Sequence, residues 1–281
     1  RGSSKGGGKM AEGAGRTRLD VMTVFGLLTA TAGILGGLIL EGGSLHDISQ
    51  ITAAIIVVGG TLGAVCVNTH GPVLNGALKR LKGAFFSAEV PLGQTVEEIV
   101  SLANKARKTG LVSLETEIEK IQDPFLRRAL NLAVDGCDLT ELRATMELYI
   151  SIDENRAEAE ARVFESAGGY APTIGIIGAV LGLIQVMKNL ADINQVGHGI
   201  AVAFVATVYG VALANVILLP VANKIKAQIK AESERREMML EGVVGIVEGL
   251  NPKLILQKLE AYHFQPRGKE VKRQNSRAVA A

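Results

Sequence analysis

Tryptophan is absent from this sequence, and aromatic residues make up only 4% of its 281 residues. Such scarcity is unusual for a large soluble core, but it suits helices that pack through glycine and alanine. There are only two cysteines, Cys66 in an apolar run and Cys137 in a charged region, so the chain has neither a disulfide framework nor a CxxC metal motif. The net charge of +2 gives no general basic signal for nucleic acid.

The chain also contains four long stretches that lack charged residues. Residues 21–40, 48–69 and 166–187 contain no Asp, Glu, Lys or Arg, and the same holds for about 199–219. A helix needs roughly 20 residues to cross a bilayer, and each of these stretches is long enough. The sequence therefore predicts four transmembrane helices.

The rest of the chain is charged and has helical periodicity. We predict an all-α integral membrane protein with a large cytoplasmic helical insert between spans two and three and a cytoplasmic helical C-terminal tail. The predicted domains are a flexible leader (1–18), a first membrane hairpin (19–69), the helical insert (70–165), a second membrane hairpin (166–222), and the C-terminal helix with its tail (223–281).

The distribution of Lys and Arg predicts the orientation of these spans. The leader, the insert and the tail carry basic residues, whereas the two hairpin turns, 41–50 and 189–199, carry none. Because basic loops stay on the cytoplasmic side, we expect both termini and the insert to be cytoplasmic.

The third apolar stretch has a regular pattern of small residues. Pro172, Gly175, Ala179 and Gly182 follow at i, i+3, i+7 and i+10, so they share one helical face. Two explanations remain open. The face could serve tight helix packing, or it could be a surface of small side chains beside an ion-carrying partner, with Pro172 as a hinge.

Several segments resemble signatures of the flagellar motor stator A subunit family (MotA and PomA), part of the MotA/TolQ/ExbB proton channel superfamily. The resemblance covers about residues 19–262. Its segments are LDVMTVFG at 19–26, KARKTGLVSLETEIE at 105–119, YAPTIGIIGA at 170–179, AFVATVYGVALAN at 203–215 and LPVAN at 219–223.

This resemblance implies a motor and channel component of the bacterial inner membrane, without cofactor and not an enzyme. In the family, five A subunits surround two MotB-type B subunits, and each B span carries one ionisable Asp. Ion flow turns the A ring, which pushes on the rotor protein FliG. The spans of this chain contain no such carboxylate, which is itself an indication that a partner supplies it.

The resemblance also assigns an ion pathway and hinge. Pro172 and Pro220 match the two motor prolines, and we expect Pro172 to start the third span and Pro220 to end the fourth. The alternative is that both prolines mark helix boundaries and have no further role. Thr173 and Thr207 would face the partner's Asp, unless they bond to their own helices. Ala179 stands where sodium-driven members tend to have Thr, so we expect proton rather than sodium coupling.

Arg107 and Glu115 match the charged pair that engages FliG, and Lys108 would assist them. The alternative is an ordinary solvated helix face. The rival function is an energy transducer of the ExbB and TolQ kind, which drives a periplasmic partner. That group normally has three spans, so four spans and the segment around Arg107 argue against it.

Overall fold

The computed structural model describes residues 18–87 and 92–263, which are mostly helical. Two-residue strands, Arg18–Leu19 and Phe86–Ser87, pair antiparallel. The predicted leader, apart from Arg18, and the end of the tail lie outside the described residues. The helices are α1 Val21–Leu40, α2 Ile51–Asn68, α3 Gly71–Phe85, α4 Leu92–Thr109, α5 Glu115–Ile118, α6 Pro124–Val134, α7 Leu139–Lys188, α8 Ile193–Val247 and α9 Pro252–His263.

All the predicted apolar stretches lie in helices that are long and apolar enough to cross a membrane, namely α1, α2, α7 and α8. The predicted all-α architecture with four such helices is confirmed. We call the remaining helical part the charged body. It comprises α3 to α6, the first half of α7, the second half of α8, and α9.

The third apolar stretch does not begin a helix of its own. α7 is one helix of 50 residues that passes from the charged body into the apolar stretch, with Pro172 inside it. Pro172 therefore lies inside a helix and not at its first turn, and its place as the start of the third span stays a prediction. Proline removes one N–H donor, but in a membrane helix neighbouring groups and helix packing can compensate.

Pro220 does not end its helix either, and its place as the end of the fourth span stays a prediction. α8 continues through it for a total of 55 residues. The segment directly before it, Leu213–Leu218, is π-helical, a wider turn that often accompanies local irregularity in a helix. The fourth helix also begins at Ile193, earlier than expected, because Asp192 caps it by accepting from the N–H groups of Asn194 and Gln195 at 3.0 and 3.4 Å.

The helix after Pro220 is shorter than predicted. The sequence predicts one C-terminal helix within 223–281, but α8 stops at Val247 and α9 begins at Pro252. Gly249 makes the turn with a φ of +69°, a conformation that glycine adopts without steric cost. α9 then folds back onto α8, which places Ile255 and Leu259 in the core of the charged body.

Beside a smaller cluster that packs α3 against α7 and α8, the charged body has one main apolar cluster. It joins α4, α6, α9 and the body halves of α7 and α8, so the two long helices are fixed at their charged ends. Its fully buried members include Ile99, Leu114, Leu126, Leu130, Leu142, Met146, Met238, Met239, Ile255 and Leu259.

A buried glutamate attaches α3 to α7. The Glu160 side chain is only 9% exposed. Arg80 donates to its Oε2, and Arg156 Nε lies 3.8 Å from Oε1. Gly76 leaves room for the carboxylate, because a Cβ at this position would collide with Oε1. The pair with Arg80 links two helices and compensates the burial of the charge.

The apolar halves of α7 and α8 pack with their backbones in contact. A Cβ at Gly210 would lie 2.5 Å from the Ala171 carbonyl oxygen, and one at Gly175 would lie 2.9 Å from the Ala206 oxygen. At the other end, a Cβ at Gly182 would lie 2.8 Å from the Gly199 oxygen. Small residues permit such close approach in lipid, where no hydrophobic force drives helices together.

We predict that Gly210→Ala lowers the thermal stability of the protein. The added methyl group meets backbone atoms, which cannot move aside as a flexible side chain can, and overpacking typically costs about 1–3 kcal/mol. The measurement is the unfolding temperature of the purified protein. Gly197→Ala is the matched control on the same helix, since nothing lies within 4 Å of a Cβ there. Equal stability of the two variants would contradict the packing argument.

Candidate functional site

The two prolines flank one contact between α7 and α8. Because Pro172 has no N–H, the Gly168 carbonyl lacks its usual helical donor. Gly168 is also where α8 packs against α7, since a Cβ there would lie 2.7 Å from Leu219 Cδ2. Leu219 directly precedes Pro220. The turn of α7 before Pro172 and the end of the π-helical segment of α8 therefore lie side by side.

Both candidate threonines bond to their own helices. The Thr173 hydroxyl donates to the Tyr170 carbonyl at 2.8 Å, and the Thr207 hydroxyl donates to the Ala203 carbonyl at 3.3 Å. The back-bonding alternative is thus what the structure shows. A hydroxyl oxygen that donates its proton keeps lone pairs, so each can still accept a hydrogen bond from a protonated group.

The small residues of the third stretch divide into two sets. Gly175, Gly178 and Gly182 are buried against neighbouring helices, as the packing explanation requires. Pro172 and Ala179 are half-buried, and Thr173 is exposed. These three residues lie at the open side of α7, where this chain leaves room for another molecule.

Thr207 lies across the helix contact from this open side. A Cβ at Gly175 would lie 3.5 Å from Thr207 Cα, so the α8 backbone at Thr207 touches α7 one turn after Pro172. The structure therefore brings Thr207 close to the Pro172 region. We call Pro172, Thr173, Ala179, Thr207 and Pro220 the pathway residues.

Tyr209 is a polar group that the sequence analysis did not single out. Its hydroxyl donates to the Ile48 carbonyl at 2.5 Å and accepts from the Gln50 N–H at 3.4 Å. It ties α8 to the turn before α2. The signal available in the sequence was a tyrosine inside an apolar stretch, since a buried tyrosine hydroxyl usually finds a partner.

The second candidate region is the corner between α4 and α5. Arg107 and Lys108 lie in the last turn of α4, Glu115 begins α5, and all three side chains are exposed. Within the described residues, none of the three forms an ion pair. Gly110 turns the corner with a φ of +85°, and its N–H donates to the Ala106 carbonyl at 2.8 Å. This confirms the predicted glycine cap of α4.

A neighbouring ion pair, which the sequence did not predict, links α4 to α5 at this corner. Lys105 Nζ donates to Glu117 Oε1 at 2.8 Å, and Lys120 Nζ lies 3.2 Å from the same oxygen. The hydrogen bonds from Lys105 and Lys120 lower the pKa of Glu117 below its ordinary value. The pair leaves Arg107, Lys108 and Glu115 pointing to solvent on a corner of fixed shape.

Neither region offers a metal site. No group of three or more His, Cys, Asp or Glu side chains in the described part of the chain could hold a metal ion. The pathway residues supply hydroxyl and carbonyl oxygens only, and the corner supplies exposed charges. The pathway residues can therefore accept hydrogen bonds, and the corner can pair with charges of another molecule.

These features define a multi-pass α-helical membrane protein of the channel-subunit class. The model of the MotA/TolQ/ExbB proton channel family matches residues 117–238, and the Motility protein A N-terminal model matches residues 24–110. The chain belongs to the MotA/TolQ/ExbB proton channel family, and within it to the flagellar motor stator subunits of the motility protein A type.

Relatives and solved structures agree with this assignment. Motility protein A of Helicobacter pylori is 36% identical over 244 residues, which cover 87% of this chain and 95% of that protein. Chemotaxis protein PomA of Vibrio alginolyticus is 33% identical over 245 residues, with the same two coverages. The structure of C. jejuni MotAB aligns with a TM-score of 0.84 and 31% identity, covering 89% of this chain and 98% of that one.

The flagellar stator complex of Bacillus subtilis also aligns, with a TM-score of 0.81 and 33% identity. It covers 89% of this chain and 98% of the aligned chain. Together with the match of residues 24–110, this favours the stator function over the energy transducer of the ExbB and TolQ kind.

We predict that Lys105→Gln raises the pKa of Glu117 towards its ordinary value, because Lys105 is the main cause of the lowering. A lowered carboxyl pKa stabilises the fold above the ordinary pKa, and this contribution is lost as the pH falls through the lowered value. Carboxylate NMR of selectively labelled protein measures the titration of Glu117. Lys108→Gln is the control and should leave it unchanged. An unchanged Glu117 pKa in Lys105→Gln would contradict the observed pairing.

Proposed function

We propose that this chain forms a ring of five around two MotB-type B subunits in the bacterial inner membrane and converts proton flow into torque on FliG. One observation carries the proposal. A member of a proton channel family has no Asp, Glu, Lys or Arg within its predicted spans. An ion-conducting site needs an ionisable group or an equivalent set of oxygens, so the carboxylate has to come from a partner. The related structures are MotAB complexes.

The orientation follows from charge. With the charged body and both termini in the cytoplasm, the basic residues lie on the side that the positive-inside rule requires. The exposed corner with Arg107, Lys108 and Glu115 then lies in the cytoplasm, where a rotor can reach it. α1, none of whose residues is buried within this chain, is covered by lipid and by neighbouring subunits.

The pathway residues suit protons better than sodium. A sodium ion requires several oxygens to replace its water, and Ala179 provides none. A proton needs only the partner's carboxylate as its carrier. In this chain, the Thr173 and Thr207 oxygens keep lone pairs that can accept a hydrogen bond from that carboxyl group once it is protonated.

The continuity of α7 and α8 supports a mechanical role. Each helix extends from the pathway residues into the core of the charged body without a break. A change of shape at Pro172 or Pro220 therefore moves the charged body as a lever instead of being absorbed by a loop. The corner that carries Arg107 packs on the same core through α4.

We predict that Pro172→Ala abolishes proton-driven rotation while the complex still assembles. Alanine restores the N–H donor to the Gly168 carbonyl, so the helix becomes regular and loses its hinge. Swimming speed and proton flux are measured in cells that express the chain with its B partner. Pro124→Ala is the matched control, because Pro124 is exposed at the first turn of a helix outside the membrane.

Two outcomes would contradict this proposal. Rotation that persists on a sodium gradient after the proton gradient has been collapsed would overturn proton coupling. Motility and ion flux that do not depend on this protein at all would overturn the torque function itself.

We predict that Arg107→Glu reduces torque without reducing assembly. The side chain is exposed and unpaired within the described residues, so the change should alter the free energy of unfolding by only about 0.5 kcal/mol. The measurements are the speed of tethered cells and the amount of complex recovered. Lys253→Glu is the charge-matched control at a distant exposed position. Normal torque in Arg107→Glu would remove this residue from the rotor contact.

A further inference from the structure

α1 is unusual among the apolar helices because this chain gives it almost no support. None of its residues is buried, whereas 22–28% of the corresponding windows of the other candidate spans is buried. Among the described residues it contacts α8 at the π-helical segment Leu213–Leu218 and near its own N-terminal end. Its position therefore depends on a small number of specific contacts.

The strongest of these contacts is a cluster at the N-terminal end of α1. Lys224 of α8 donates from Nζ to Asp20 Oδ2 and to Thr23 Oγ1. The side chains of Lys224 and Asp20 are 22% and 29% exposed, so solvent only partly screens the pair. The hydrogen bond from Lys224 also lowers the pKa of Asp20. The lowered pKa keeps the Asp20 side chain ionised at neutral pH.

The two oxygens of Asp20 have separate roles. Oδ1 accepts from the N–H groups of Met22 and Thr23 at 2.9 and 3.2 Å, which caps α1. Oδ2 is left for Lys224. In addition, the Asp20 N–H donates to the Phe85 carbonyl at 3.1 Å, so the same residue ties α1 to the end of α3.

We propose that Lys224 is a positioning residue that fixes α1 on α8 through the charge of Asp20. Lys224 lies one helical turn after Pro220, and α1 contacts the π-helical segment just before that proline. The cluster therefore attaches α1 to the part of α8 whose helix is irregular. A movement of α8 at Pro220 is passed to α1 through this attachment. This last step rests on the proposed motor function, whereas the attachment itself does not.

Variants at Asp20 distinguish the effect of its charge from its effect as the N-cap of α1. Asp20→Asn keeps a good capping side chain but removes the charge, and Asp20→Ala removes both. Lys224→Gln removes the charge from the other side, and Lys224→Arg keeps it. Lys230→Gln is the matched control on the same helix, since Lys230 is exposed and lies away from α1.

The measurement is the distance between spin labels at Leu40→Cys and Met187→Cys, which are exposed at the far ends of α1 and α7. Cys66 and Cys137 are replaced by alanine, and labelled subunits are diluted with unlabelled ones in the assembled complex. We expect a single narrow distance in the parent, in Lys224→Arg and in Lys230→Gln. We expect that peak to be lost in Asp20→Asn, in Lys224→Gln and, to the same extent, in the double variant.

The proposal would be overturned if Asp20→Asn kept the narrow distance and only Asp20→Ala lost it, because Asp20 would then act as a cap alone. Should Lys224→Gln fail to assemble, Thr23→Val removes one acceptor of the lysine and should broaden the peak in part. No broadening in Thr23→Val and Asp20→Asn would also overturn it. Torque is recorded for the same variants. Loss of the peak with unchanged torque would retain the attachment and reject its motor role.

Discussion

The membrane half of this structure depends on the direct backbone contact between α7 and α8. Glycines at both ends of that contact let the two helix backbones approach more closely than larger residues would permit. Because the two helices are held this close, Pro172 and Pro220 lie beside the same contact, that of Gly168 with Leu219. Packing also explains why neither proline ends its helix, because the stabilisation from the neighbouring helix offsets a cost of about 3 kcal/mol for a proline inside a helix.

The membrane half contains few polar side chains, and their hydroxyl groups form hydrogen bonds within this chain. The hydroxyls of Thr173, Thr207 and Tyr209 each donate to a backbone carbonyl, so none of these three donors is unpaired. In the low-dielectric interior an unpaired donor would be costly. What remains available are acceptor lone pairs on an open surface of α7. Such a surface can accept hydrogen bonds from a neighbouring molecule.

Charge is concentrated where helices are joined. Arg80 with Glu160 fastens α3 to α7, Lys224 with Asp20 fastens α1 to α8, and both pairs lie at the border between the apolar and charged parts. The corner at Arg107 differs, because its charges point outwards from a braced turn. Two long helices connect these regions, and both are fixed at their charged ends in one core.

The sequence by itself determined the apolar stretches, the charged body, the glycine turn at Gly110 and the family motifs, because each depends on local composition and spacing. Only the tertiary structure decided that the helices continue through Pro172 and Pro220. It also decided that Glu160 is buried and that Lys224 meets Asp20. Local rules for proline predict an end, and they fail where packing from a distant segment supplies more stabilisation than the proline costs. Partners about 80 or 200 residues apart leave no periodic signal in one sequence.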